Sequence, residues 1–320
     1  MTKSQQISAV RSLIIDTDPG HDDAFALFLA LASPNINILG ISAISGNIPV
    51  MASAENARRV VEIAGFPEME VRPGAVMPLM RAARYAHDIH GKTGIDGYDW
   101  PMPANPPLSE DSIDWMIRTL LTHPAKSVTL LALGPLTNVA LMLRRSPAAA
   151  SRVRNIVMMG GGFFEGGNVS PAAEFNILVD PEAAAVVFTA GVPLTVMPID
   201  CTQSALMPVD WKDRLAALGT RTGDACAGMI SFFEQHGNRK FGTRTRPLHD
   251  ALAMAWILWP ELFSGKDCYV AIETGSTLTL GMTVVDWWGS TGLPANCHWV
   301  RSCAVEKIYE LMFDSLAKLP

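Results

Sequence analysis

Apolar and polar positions divide this chain into short apolar runs that alternate with longer amphipathic ones. Ser12-Leu13-Ile14-Ile15 reads as a buried strand, and Ala24 to Leu31, apolar throughout, as a buried helix. Ile36 to Ser45 predicts the second strand, ending at Gly46-Asn47, and Ser53 to Ala64 a helix stopped by Gly65. A short strand at Glu70 to Arg72 ends at Pro73-Gly74. Ser109 is placed to cap a helix running to about His123. Further strands are expected at Val128 to Leu133, Asn155 to Met159 and Leu194 to Ile199, the last ending at Asp200. Helices are expected from Pro135 and Thr137 through Leu143, and from Pro181, a residue suited to a first helical turn. The remainder predicts helices at about 208–218, 224–236 and 248–258, a β-ribbon near 268–285, a strand around 297–303 and a closing helix near 304–318.

Strands that alternate with helices predict an α/β fold. The expected form is an open, mostly parallel, Rossmann-like central sheet flanked by helices, with a small β-ribbon and helical extension in the C-terminal part. No repeat, low-complexity tract or linker interrupts the chain, so residues 1–320 are expected to form a single domain. The stretch Met77 to Pro107, rich in proline and glycine, is too long for an ordinary connection and reads as a functional loop or lid.

Composition narrows the class. Of 320 residues, 49% are apolar and 18% charged, which excludes a disordered chain. A net charge of −6 without a basic cluster argues against a nucleic-acid partner. The densest basic group, Arg239, Lys240, Arg244 and Arg246, reads as a solvated loop. Cys201, Cys226, Cys268, Cys297 and Cys303 are scattered and form no Cys-x-x-Cys pair, so inert thiols in a reducing cytoplasm are expected. The uncharged stretch from Ala24 to Ala54 is broken by Pro34, Gly40, Gly46 and Pro49, so no membrane span or membrane partner is expected. The first residues hold no apolar core of signal-peptide length, and secretion is not expected.

Four carboxylates, Asp16, Asp18, Asp22 and Asp23, fall within eight positions between the first strand and the first helix. Such charges repel one another and are costly to desolvate, so they need a cation, protons or water. Hard oxygen donors at this density point to calcium or magnesium. The competing structural role is that Asp22 and Asp23 complement a helix N-terminus while Asp16 and Asp18 lie in a wet turn. A second stretch, Met159 to Asn176, holds five glycines in eight positions, followed by Asn168, Glu174 and Asn176, side chains suited to sugar hydroxyls or to organising turns. A third, Leu248-His249-Asp250, puts a titratable group beside another oxygen ligand at a helix start. In open sheets ligands bind beyond the strand C-termini, where all of these fall.

Together these segments resemble the nucleoside hydrolase family of the inosine-uridine-preferring type. Asp16-Thr17-Asp18-Pro19-Gly20-His21-Asp22-Asp23-Ala24 is similar to the family signature. Ser45-Gly46-Asn47, Leu133 to Asn138, Met159 to Asn176 and Leu248-His249-Asp250 resemble later motifs in the same order. The resemblance implies Ca²⁺-dependent hydrolysis of the N-glycosidic bond of ribonucleosides by a cytoplasmic homodimer or homotetramer. It implies Ca²⁺ ligation by Asp18, Asp23 and Asp250 with the Leu133 carbonyl. It implies sugar contacts from Asp22, Asn47, Met159, Asn168, Glu174, Phe175, Asn176 and Asp250, and a catalytic set of Asp18 as general base, Asn47, and His249 beside the leaving base. His90 resembles a second active-site histidine on the long loop. Asp16 fits a buttress of the loop as well as a ligand.

Ala251 stands where relatives commonly show proline, and Ser231 to Asn238 carries none of the tyrosines that some relatives place around the base; His236 is a candidate substitute. Purine or pyrimidine preference stays open. Two other readings share these residues: a Mg²⁺-dependent phosphatase of the haloacid dehalogenase type, for which no convincing lysine is present, and a non-catalytic Ca²⁺-dependent nucleoside binder.

Overall fold

The computed structural model describes residues 10–241 and 246–320, the side chains of 236–241 excepted. Among these residues nine strands form one sheet: β1 (Arg11–Thr17), β2 (Ile36–Ala43), β3 (Val71–Pro73), β4 (Val128–Ala132), β5 (Val153–Met159), β6 (Leu194–Met197), β7 (Phe263–Ile272), β8 (Thr283–Asp286) and β9 (Cys297–Cys303). Their order is β3-β2-β1-β4-β5-β6-β9-β7-β8. Pairing is parallel from β3 across to β9, and antiparallel from β9 to β7 and from β7 to β8. The mostly parallel sheet and the C-terminal ribbon are therefore both present.

Strand period sorts the core into two layers. Leu13 and Ile15 of β1, Leu131 of β4, and Val157 and Met159 of β5 face one layer, packed by the His21–Leu31, Val50–Ile63, His249–Leu258 and Val305–Leu316 helices. Ile14, Leu130, Ile156 and Met158 face the other, packed by the Ser112–Thr122, Thr137–Arg145 and Pro181–Phe188 helices. The first helix is buried along its whole length, which is why it reads as an apolar run and not as a stripe. The uncharged stretch resolves into this helix, β2 and the start of the next helix. No helix among the described residues is long and apolar enough to cross a membrane.

Four local expectations are corrected. Asp111, not Ser109, caps the Ser112–Thr122 helix: its side chain accepts from the Ile113 and Asp114 N–H groups at 3.0 and 3.1 Å. The second helix begins at Val50, directly after Pro49, which fixes the entry dihedral. Strand β6 stops at Met197 because Pro198 has no N–H for the ladder, and a four-residue helix, Ile199–Thr202, carries Asp200. Arg246 is not on a solvated loop: it is half-buried, with its guanidinium 5.2 Å from the Phe233 ring centre. The side chains of His236, Arg239, Lys240 and Arg244 lie outside the described residues.

The strand order reverses between β1 and β4, the switch point at which α/β sheets open a crevice. The acidic stretch leaves β1 there, and Leu133-Gly134 leaves β4 beside it.

The corrected cap has a measurable consequence. Asp111→Ala is expected to lower stability in urea unfolding by about 1 kcal/mol. Ser109→Ala, at an exposed position, should change it by less than about 0.5 kcal/mol.

Candidate active site

The helix that follows β1 starts at His21 because Asp23 closes the turn before it. Asp23 accepts from the Gly20 N–H at 3.0 Å, from the Asp18 N–H at 3.3 Å and from the Thr17 hydroxyl. This holds Asp22 and Asp23 at the sheet edge, where they meet Asp250 at the start of the His249–Leu258 helix. One carboxylate oxygen from each of Asp22, Asp23 and Asp250 lies within 4.8 Å of the others. Asp22, expected at the sugar, thus also belongs to the acidic cluster.

Asp18 sits between two loops that approach it only as glycine. A Cβ on Gly46 would lie 2.1 Å from Asp18 Oδ2, and one on Gly134 would lie 2.3 Å from Oδ1. Asn47 closes the third side: its backbone N–H donates to Asp18 Oδ2 at 2.6 Å, and its Nδ2 donates to the Asp18 carbonyl at 3.2 Å. Asp16 points to the opposite layer. It accepts from Ser42 Oγ at 2.6 Å and Asn138 Nδ2 at 2.8 Å, which gives it the buttressing position.

The glycine-rich loop contributes a second cluster. Glu174 accepts backbone N–H groups from Gly161, Asn176 and Ile177 at 2.9–3.2 Å. Asn176 Nδ2 donates to the Leu133 carbonyl at 2.7 Å and to the Met159 carbonyl at 3.1 Å. Asn168 accepts from the Phe175 N–H at 3.0 Å. Asn168, Glu174 and Asn176 therefore organise the loop, and the Leu133 N–H donates to the Asp16 carbonyl, which joins it to the end of β1.

The long loop carries a short helix, His87–His90, that brings His90 over Gly20, where a Cβ would meet the ring at 2.7 Å. His249 is held at Nδ1 by Thr202 Oγ1, 2.6 Å away.

Several supporting residues escaped the sequence reading. Thr17 lies inside the acidic stretch, but nothing in its type signals the bond to Asp23. His21 is fully buried, donates from Nε2 to the Asp96 carbonyl at 2.7 Å, and packs against Phe232 and Phe233 at 5.0 and 4.5 Å between ring centres. Asp200 accepts backbone N–H groups from Phe163, Phe164 and Glu165 at 2.8–3.0 Å and the Trp299 indole N–H at 3.0 Å, so it shapes the glycine-rich loop from beneath. No local pattern marks Asp200 or Thr202, because their partners are distant in sequence.

Electrostatics decides what the cluster can hold. Burial, then the neighbouring Asp23, holds Asp18 well above the usual carboxylate range. Burial, then Asp22, Asp23 and Asp18, does the same to Asp250. Burial and Asp22 push Asp23 up to about 6. Asp18 Oδ1 and Asp250 Oδ1 are buried and have no hydrogen-bond donor. A hard divalent cation answers both facts, since it neutralises the repulsion and takes up the orphaned oxygens. Burial lowers the pKa of His90 and His249, favouring their neutral forms, and pushes His21 down to about 3.

Comparison with known proteins gives the class to which this fold and site belong, a hydrolase that acts on N-glycosyl bonds. Residues 13–310 match the family model of the inosine-uridine preferring nucleoside hydrolases, and the chain belongs to that family. A pyrimidine-specific ribonucleoside hydrolase from Shewanella sp. (strain ANA-3) is 41% identical over 308 residues, 96% of each chain. Among solved structures, a purine-preferring ribonucleoside hydrolase from Gardnerella vaginalis superposes with a TM-score of 0.90 at 26% identity, covering 96% of this chain and 98% of that one. A plant nucleoside hydrolase superposes at 0.89 with 28% identity, covering 96% and 99%. The phosphatase and non-catalytic readings are thereby set aside.

Glu174 supplies a test of the loop. Burial pushes its pKa up to about 7 against the N–H donors that oppose the shift. Because the folded value exceeds the unfolded one, its contribution is complete below about pH 4.5 and is lost as pH rises toward 7, at about 1.4 kcal/mol per pH unit. Glu174→Gln should remove that slope from urea-unfolding profiles taken in chelator, whatever its effect on absolute stability.

Proposed function

We propose that this ribonucleoside hydrolase uses Ca²⁺, held by Asp18, Asp23 and Asp250 with the Leu133 carbonyl, and prefers pyrimidine ribonucleosides. The metal assignment is supported by the clustered carboxylates of Asp22, Asp23 and Asp250 and by the buried Asp18 and Asp250 oxygens that lack donors. Support for the base preference is the 41% identity to the pyrimidine-specific Shewanella enzyme, against 26% to the purine-preferring one. Bound there, the cation supplies a ligated water of lowered pKa and an anchor for vicinal sugar hydroxyls.

The chain's own residues do the rest. Asp18, with its raised proton affinity, accepts the proton of the attacking water as general base. Asn47 fixes the Asp18 carboxylate and offers its amide to the sugar. Asp22, Glu174, Asn168 and Asn176 hydrogen-bond the ribose, with Met159 and Phe175 packed beside it. Asp250 would serve the sugar as well as help to hold the metal. The high density of carboxylates stabilises the positive charge that develops on the sugar as the glycosidic bond breaks. His249, oriented by Thr202, hydrogen-bonds the departing base and assists its loss, and His90 closes the site from the long loop.

Ribose release from uridine, cytidine, inosine, adenosine and guanosine, with added calcium and after chelation, tests this reading. Release should require calcium and be fastest with uridine or cytidine; a faster rate on inosine would refute the base preference. Asp23→Ala should abolish calcium binding in calorimetry and lower turnover by at least about 100-fold, while the circular dichroism spectrum stays native. Near-normal turnover by that variant would sink the metal assignment.

A further inference from the structure

A turn that runs through Gly160-Gly161-Gly162 is expected to be slack, yet each backbone N–H from Gly160 to Glu165 donates to an acceptor outside that segment. Gly160 donates to the Met197 carbonyl at 3.1 Å and Gly161 to the Glu174 carboxylate at 3.0 Å. Phe163, Phe164 and Glu165 donate to Asp200 at 2.8–3.0 Å. Gly162, between the two carboxylates, reaches neither and donates instead to Thr283 Oγ1 at 3.0 Å. Thr283 opens β8, the last strand in the pairing order, so the C-terminal ribbon folds back to reach the loop that leaves β5. Strand β7 changes partner midway on that path: Phe263 to Cys268 pair with β9, and Tyr269 to Ile272 with β8.

The contact is reciprocal and close. Thr283 Oγ1 also donates to the Gly162 carbonyl at 2.7 Å, a double role that a hydroxyl can fill through one atom. Both residues are buried, away from competing water. A Cβ on Gly161, at φ 80°, would meet Thr283 Cγ2 at 3.0 Å and Trp299 at 3.1 Å. In the turn before β8, a Cβ on Gly281 would lie 2.9 Å from Leu178 Cα and 3.2 Å from Ala173 Cβ. The ribbon therefore touches the glycine-rich stretch at its start and again beside Glu174.

We propose that Thr283 is a positioning residue for the sugar, fixing the glycine-rich loop through Gly162, so that the C-terminal ribbon completes the substrate site. Met159 precedes the tether, and Asn168, Glu174 and Asn176 follow it. Glycines offer no side chain to grip, so the loop is held at its backbone groups. Without the hydroxyl, the Gly162 N–H and carbonyl are buried without Thr283, and the loop shifts to find other partners. Sugar contacts act on the bound nucleoside before the transition state as well as in it, so their loss raises KM. A mere loss of folded enzyme would lower the apparent kcat and leave KM unchanged.

The kinetic effect rests on the sugar contacts proposed above, whereas the tether does not. The test compares Thr283→Val, which lacks the hydroxyl, with Thr283→Ser, which keeps it. Ribose release from uridine in calcium is measured alongside amide hydrogen exchange of the Gly160 to Gly167 segment. Thr283→Val should raise KM about tenfold with kcat within about threefold, and Thr283→Ser should stay within about twofold of wild type in both. Exchange in the segment should be faster in Thr283→Val and unchanged in Thr283→Ser. Thr283→Ala, which sets no methyl against the Gly162 carbonyl, gives the same reading should Thr283→Val not fold. A change in only one of the two readouts, or equal impairment of Thr283→Ser, would overturn the proposal. A wild-type enzyme that releases no ribose from any nucleoside would overturn the proposed function and the kinetic part of this one, with hydrogen exchange still deciding the tether.

Discussion

Mutual repulsion among buried carboxylates is the constraint around which the site is arranged. Asp22, Asp23 and Asp250 cluster where the sheet changes winding direction, Asp18 interacts with Asp22 and Asp23, and all four are buried or nearly so. Each neighbouring feature bears on that cost. Thr17 and the Gly20 N–H satisfy one face of Asp23, Asn47 satisfies one oxygen of Asp18, and Gly46 and Gly134 leave the space that its carboxylate fills. Buried oxygens of Asp18 and Asp250 still lack partners, which favours a cation over an apolar ligand.

Placement of the catalytic groups depends on elements that carry no chemistry themselves. The Ile199–Thr202 helix is one turn long, yet it links the glycine-rich loop, β9 and His249. His21 does the same on the other side, joining the acidic turn to the long loop through Asp96 and His90, and to the Arg221–Phe241 helix through Phe232 and Phe233.

Legibility followed the range of the interactions. The β1 acids, the glycine-rich loop and the His249-Asp250 pair were visible because each is a local cluster at a strand end or helix start. The cap of the Ser112–Thr122 helix was misread because Ser109 and Asp111 are both good caps, and only the chain path chooses between them. Arg246 was read as solvated because its neighbours in sequence are basic, whereas its neighbour in space is Phe233.

By itself, the sequence determined the fold class, the strand–helix order and the family, since apolar period and short motifs are properties of neighbouring residues. Tertiary structure alone decided that Asp16 faces away from the acidic cluster, that Asp22 joins it, and that Thr202 orients His249. These outcomes depend on parallel strands set side by side by long crossovers, which bring together residues more than a hundred positions apart, as with Asp16 and Asn138. No local pattern encodes such a meeting, because the hydrophobic period sets which face a residue takes and not which partner waits there.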